Sequence, residues 1–325
     1  LPALFLILYC QAASAAAPEG MAAIPGGPFL MGSPQGQGRA DEHPLHKVNL
    51  KTFYIDKTEV TVGDYRAYAG DKTPDQPSWS TDQHPVLGVS WKNAVAYCKS
   101  KGKRLPTEAE WEKAARGGNN KVYFFGDAQT KLDRYCWYND NSGGTAHPVG
   151  KLGANQYGLY DMCGNAFEWT ADIYDEDYYA KSPAFNPTGP ENPLLPKSAA
   201  SKKAGAQKTQ VKKLKVGRLG KTSDEAGAKA AAAEPARPPK GEEEPTMGLS
   251  NENLMVENGE SLDPSSIKQL NASFDGGGAS IAESTVYPSA RGGSWLAAPD
   301  MLRMASRSGD EQAGGGLDIG FRCAR

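Results

Sequence analysis

The stretch NQYGLYDMCGNAFEW, residues 155–169, sets two carboxylates, Asp161 and Glu168, around a tight Cys-Gly-Asn turn. Such a turn can aim both carboxylates and nearby backbone carbonyls at one point, the oxygen coordination that a hard cation such as Ca2+ requires. The same carboxylates can equally cap local turns through backbone N–H groups, since one pair is not a complete metal site. A second stretch, RGGSWLAAPDMLRMASRS at 291–308, opens with a glycine pair and an aromatic, as a loop presenting a reactive side chain would. It continues into Leu296, Ala297, Ala298 and Pro299, none of which can do chemistry. Ser294 lacks patterned His and Asp partners for a hydrolase triad. Met301 and Met304 offer thioether sulfur at a spacing that also suits packing. Arg303 and Arg307 suit buried ion pairs or an anion pocket. The four histidines are His43, His46, His84 and His147. The HPLH run at 43–46 has ligand-like spacing but reads as a surface turn.

These groups need elements to hold them. MAAIPGGPFLMGS, from Met21, reads as two short strands around a Pro-Gly-Gly break, a hairpin-like signal. His46 to Thr61 alternates apolar and polar residues, so further strand is expected. Thr61 caps a short helix that Gly70 stops. Ser90 caps a second helix, with Trp91, Ala94, Val95 and Cys98 on one buried face and Gly102 as its end. Thr107 and Glu110 form a capping box for a third, with Trp111 and Ala115 facing inward and Gly117 as its stop. Residues 119–169, rich in Gly, Asn and aromatics, read as short strands and ordered loops.

The chain has 325 residues, 37 Gly, 23 Pro and a net charge of −2. That favours a loop-rich fold, and no global basic field points to nucleic acid. Lys197 to Lys221 holds nine Lys or Arg and no acid, so the rest of the chain is acidic. That basic run sits in a biased Ala/Lys/Pro segment, 191–285, which reads as a poorly packing, low-complexity insertion. It is a solvated linker or an arm for an acidic surface, such as a partner, an anionic polymer or lipid headgroups. Residues 1–17 read as a partial signal peptide: Leu4 to Tyr9 is apolar but too short to span a bilayer, and small residues follow. Lipid attachment at Cys10 is the alternative, against the bulky Tyr9 before it. Export, to periplasm, cell surface or medium, would permit disulfides among Cys98, Cys136, Cys163 and Cys323, with three connectivities open. No C-x-x-C pair supports a zinc knuckle.

Five blocks occur in a familiar order: IPGGPFLMGS, FYIDKTEVTVGDY, HPVLGVSWKNAVAYCKSKGKRLPTEAEWEKAARGG, NQYGLYDMCGNAFEW and RGGSW…GFRCAR. Together they resemble the formylglycine-generating enzyme, or sulfatase-modifying factor, family. The resemblance implies one discontinuous domain, 18–190 with 286–325, of α+β class, with a C-type-lectin-related fold and little regular secondary structure. It also implies a structural Ca2+ bound by the side chains of Asp161 and Glu168 and the carbonyls of Gly164 and Ala166. The family's oxidase site binds Cu(I) through two cysteines shortly after the RGGS motif, and thiolates suit that soft ion. Here the first of those positions matches Ala297 and the second falls within 299–302, so no copper is expected. For the cysteines the expected pairs are Cys98–Cys323 and Cys136–Cys163, with free buried thiols as the alternative. The reading that follows is an exported, non-catalytic envelope component, structural or protein-binding. Its alternatives are a formylglycine-generating oxidase acting on sulfatase cysteines, or a glycan-binding module using Trp79, Trp137 and Trp295.

Overall fold

The structure is a computed structural model and describes residues 17–191, 287–309 and 314–325. The expected leader with Cys10, and the basic run Lys197 to Lys221, lie outside the described residues. The three helices form where their caps expect them. Helix α1 (Val62–Ala69) starts at Thr61, whose hydroxyl accepts from the Asp64 N–H, and stops at Gly70 with φ 57°. Helix α2 (Trp91–Ser100) starts at Ser90. Its buried face is Trp91, Ala94, Tyr97 and Cys98, with Val95 only half-buried. Helix α3 (Glu108–Arg116) carries the full Thr107/Glu110 capping box and ends at Gly117, left-handed at φ 60°. Eight of its nine residues are buried, including Glu108, Glu112, Lys113 and Arg116, so α3 runs through the interior.

The N-terminal strands correct the hairpin-like expectation. Strand β1 (Met21–Ile24) and strand β2 (Gly27–Met31) do not pair with each other. Strand β2 pairs antiparallel with β3 (His46–Leu50), and β1 with β4 (Phe53–Asp56). The Pro25-Gly26 break is thus a crossing between two ladders. A larger sheet has the order β7-β6-β5-β8. Its centre is β5 (Phe167–Ile173), antiparallel to β6 (Pro288–Arg291) and parallel to β8 (Ile319–Gly320), with β7 (Arg307–Gly309) outside β6. Residues 119–166 supply ordered loops rather than strands, apart from one short 3-10 turn at Gln129–Arg134.

The main core joins the small ladders to α3 and the loops, through Ile24, Val48, Ile55, Trp111, Phe124, Leu159 and Met304. Buried indoles fix α2 to the sheet: Trp91 Nε1 donates to the Thr170 carbonyl at 2.6 Å and Trp169 Nε1 to the Val89 carbonyl at 2.9 Å. Disulfides join Cys98 to Cys323 and Cys136 to Cys163. The first ties α2 to the C-terminal block across 225 residues, where closing a long loop constrains the unfolded chain most. The second staples the 136–147 loop to the Cys-Gly-Asn turn. Among the described residues no helix is long and apolar enough to cross a membrane.

Candidate functional site

The turn before β5 is built from residues in unusual backbone conformations. Asp161 has φ 56°, Gly164 φ 73° and Asn165 φ 63°. Asp and Asn tolerate this left-handed region better than other residues with a Cβ. Gly164 cannot be replaced without displacement, because a Cβ there would lie 2.0 Å from the Trp137 carbonyl oxygen. Its N–H donates to the Gly292 carbonyl at 2.9 Å, joining this turn to the glycine pair of the second stretch.

Three buried carboxylates gather beneath the turn: Glu59, Asp161 and Glu168, exposed by 2%, 4% and 0%. One guanidinium, Arg322, faces them. It donates to both Glu168 oxygens, at 2.7 and 2.6 Å, and to the Asp56 and Tyr160 carbonyls. Trp111 Nε1 adds a third donor to Glu168 at 2.8 Å. Asp161 accepts the Gly150 N–H at 2.7 Å, and Glu59 Oε1 accepts the Asn165 amide at 3.0 Å. Among the described residues no group donates to the fully buried Glu59 Oε2. Burial pushes the Glu59 carboxyl well above the usual range, and the charge of Asp161 adds to this against the pull of Arg322. Burial also raises Asp161, opposed by the Gly150 N–H and Arg322. A proton or a cation must balance this excess of buried negative charge.

Among the described residues no three His, Cys, Asp or Glu side chains converge as a metal-ligand cluster. The resemblance implies a set completed by the Gly164 and Ala166 carbonyls, since two carboxylates alone do not make a Ca2+ site. At Glu168 the structure departs from that set, because its carboxylate is engaged by Arg322 and Trp111. The oxygen lacking a partner belongs to Glu59. Asp161 and Glu59 are a buried acidic pair beside the turn, and a proton shared between them offsets their charge as a cation would. Neither Glu59 nor Arg322 stood out in the sequence. Each is a charged residue inside an otherwise apolar block, KTEVTV and GFRCA, and that was the available signal. Asn165 was missed too, although it is the hub of the turn. Its N–H donates to the Trp137 carbonyl, its own carbonyl accepts the Trp295 N–H, and its side chain links His147 to Glu59.

The loop after β6 holds hydrocarbon where the resemblance places copper thiolates. Ala297 is 4% exposed and belongs to the main core, together with Leu302 at 0%. Met304 is buried in the same cluster and Met301 packs against it, so both methionines serve packing. Ser294 donates to Asp318 at 2.8 Å with no histidine in the pair. All four cysteines of the described residues are in disulfides, and the fifth of the chain is Cys10. The arginines form ion pairs. Arg303 grips Glu42, with Nη2 to Oε1 at 2.7 Å, and Arg307 grips Glu108 at 2.7 and 3.0 Å. His46 lies against the Tyr179 ring and contacts the Pro44 carbonyl, a turn at the strand entry rather than a ligand pair.

A family model described as "Sulfatase-modifying factor enzyme 1-like domain" matches residues 10–325. The formylglycine-generating enzyme of Thermomonospora curvata is 36% identical over 239 residues, covering 53% of this chain and 78% of that protein. The protein named inactive Cα-formylglycine-generating enzyme 2 of Bos taurus is 32% identical over 213 residues, covering 47% and 71%. A protein of Chlamydia caviae named serine/threonine-protein kinase pkn1 is 36% identical over 183 residues, and the match spans only 28% of its length. Among solved structures, PvdO from Pseudomonas aeruginosa superposes with a TM-score of 0.59 at 21% identity, covering 94% of this chain and 93% of that one. Treponema denticola variable protein 1 gives 0.58 at 20%, covering 94% of each. These likenesses show the fold, mixed helices and small sheets with much ordered loop, and with the matched family model they establish that the chain belongs to the family of sulfatase-modifying factor enzyme 1-like domains.

Proposed function

We propose that this chain is a non-catalytic member of its family, an exported envelope component whose folded domain is a binding surface for a protein partner. The observation that carries this is the filling of the loop after β6. Ala297 and Leu302 are packed in the core, and the only cysteine outside the two disulfides is Cys10, far from that loop in the sequence. Soft-metal oxidase chemistry needs thiolates there, and aliphatic side chains do not replace them. That one relative carries the name of an inactive enzyme is consistent with this reading. The two disulfides and the leader-like start favour an oxidising compartment.

On the same reading the buried carboxylates bind a structural Ca2+. Asp161 and Glu59 would supply charge and Gly164 and Ala166 backbone oxygens. The ion would pin loops that so little regular secondary structure cannot hold. The basic segment 197–221 would serve as a solvated linker or as an arm for an acidic surface. The test is gentle purification from the native envelope with elemental analysis. A stoichiometric protein partner with calcium alone supports the proposal. A lone protein carrying stoichiometric copper or iron refutes it.

A further inference from the structure

Strand β3 has a second neighbour besides β2. Residues 184–186 lie along its other edge: the Asn49 N–H donates to the Ala184 carbonyl at 2.8 Å, the Asn186 N–H to the Asn49 carbonyl at 2.9 Å, and the Lys51 N–H to the Asn186 side chain at 2.9 Å. Paired residues present their side chains on one face of a sheet, and successive residues alternate between faces. Val48, Leu50 and Met31 belong to the core. Pro28, Leu30, Lys47, Asn49 and Phe185 therefore share the outer face, with Leu30 opposite Lys47 and with Pro28 and Phe185 flanking Asn49. Phe185 is 71% exposed although backbone bonds fix both of its chain neighbours. Trp295, at 6%, offers no such ring.

Leu30 also lines a cleft at one end of this face, together with Leu45, Val122, Lys121, Arg116 and Arg303. The cleft holds about 210 Å3. That is less than the ~300–1,000 Å3 of sites that enclose a small molecule. It is room for one large apolar side chain, since an apolar cavity of about 150 Å3 takes benzene. The charged residues lining it are all cations. Arg116 and Arg303 are already paired, with Glu112 and Glu42. Lys121 meets Asp127 in an exposed pair, which is readily exchanged. Lys47 and Lys51 are exposed and have no ion-pair partner among the described residues. A single exposed hydrophobic residue needs no explanation. Here Phe185, Pro28, Leu30 and Leu45 run from the sheet into the cleft, and the free charge beside them is of one sign. A partner segment rich in Asp or Glu around a large apolar side chain matches both features, because the side chain finds the cleft and the carboxylates meet the lysines. A bilayer would reach Phe185 but not the recessed, half-buried Leu30 and Val122.

The geometry points to this face as the docking surface for an acidic peptide segment of a partner protein, with Phe185 and the Leu30–Leu45 cleft as apolar anchors and Lys47 and Lys51 as charged contacts. This rests on the protein-binding reading and gives it a surface and a partner chemistry. The probe is a fluorescent peptide of Leu-Phe flanked on each side by a run of glutamates, titrated into the full chain by anisotropy at about 50 and 200 mM salt. Two control peptides carry lysine in place of glutamate, or Ala-Ala in place of Leu-Phe. The glutamate peptide should saturate with a Kd below about 1 mM and weaken severalfold at the higher salt, while neither control saturates. Phe185→Ala should weaken binding about fivefold or more. Lys47→Glu should weaken it and flatten its salt dependence. Both side chains are exposed, so both variants should melt like the wild type. The basic run 197–221 is present in every variant, so a change of affinity reports this face. No saturation at about 5 mM, equal binding of either control peptide, or an unchanged Kd in either variant overturns the proposal. So does self-association of the chain that Phe185→Ala abolishes, which would make the occupant a second copy. Tighter, Phe185-dependent binding of phosphatidylglycerol vesicles would make it a membrane and overturns the proposal too. Copper content and sulfatase-peptide turnover do not enter this titration, so failure of the non-catalytic reading is read separately.

Discussion

Replacing Glu112 by Gln should be among the most damaging conservative changes in this protein. Glu112 sits on α3 with no exposure. Its Oε1 accepts the Gly32 N–H at 2.8 Å and the Arg116 Nε and Nη2 at 2.9 and 2.7 Å. Its Oε2 accepts from Arg291 and from the Tyr179 hydroxyl at 3.2 Å. A glutamine amide turns one of these oxygens into a donor facing donors, and it removes the charge. Arg291 would keep Glu108 at 3.3 Å, whereas Glu112 is the carboxylate that Arg116 pairs with, and that guanidinium is almost wholly buried. Breaking one side of a buried pair costs about 3–5 kcal/mol. For a domain of this size that lowers the melting temperature by about 6–20 °C. Differential scanning calorimetry reads it directly. The control is Asp82→Asn, which breaks the exposed Arg66 pair and should cost under about 1 kcal/mol. A loss below about 3 °C for Glu112→Gln, or one no larger than the control's, would show that the buried network does not carry the stability assigned to it.

Other outcomes follow from the same geometry. Glu108 and Glu112 are deeply buried, which alone would raise their pKa, but Arg307 and Arg291 beside Glu108, and Arg116 and Arg291 beside Glu112, hold both below the usual range. Their contribution is present above the unfolded carboxylate pKa of about 4.3 and is lost as pH falls through the lower folded values. Melting temperature should therefore fall steeply below about pH 4, and less steeply in Glu112→Gln. Gly164→Ala places a methyl against the Trp137 carbonyl at a positive φ, and should cost about 3 kcal/mol or more in urea unfolding. Reducing both disulfides should lower stability by about 2–5 kcal/mol, chiefly through Cys98–Cys323, read as a melting shift with and without reductant. Chelation should lower the melting temperature of the wild type, and less so that of Asp161→Asn, if Ca2+ occupies the Glu59–Asp161 site.

The local signals in the sequence were those whose physics is itself local. Thr61, Ser90 and Thr107 cap their helices through hydroxyls three residues from the N–H they accept, so spacing alone marks them. The partners of β1 and β2 are not local: strand alternation gives a face but not a neighbour, and the Pro-Gly break suits a crossing as well as a hairpin. The carboxylate centre was half legible. Asp161 and Glu168 announce themselves by their turn, yet Arg322 claims Glu168 from 154 residues away, and Glu59 reaches Asn165 across 106. The interior charges of α3 were hidden for the same reason. Glu108 and Glu112 look like ordinary solvated helix residues until Arg291 and Arg307 arrive from the far end of the chain.

The most direct test of the central claim is an oxidase assay on the copper-loaded full chain. A peptide containing the sulfatase Cys-x-Pro-x-Arg motif would be supplied with O2 and followed by mass spectrometry for conversion of its cysteine to an aldehyde. A non-catalytic domain, with Ala297 and the 299–302 segment in place of thiolates, leaves the peptide cysteine unchanged while an active family enzyme converts it in parallel. Enzyme-dependent aldehyde formation that survives in Ser294→Ala and tracks bound copper would contradict it, and would mean that some other group in this chain holds the metal.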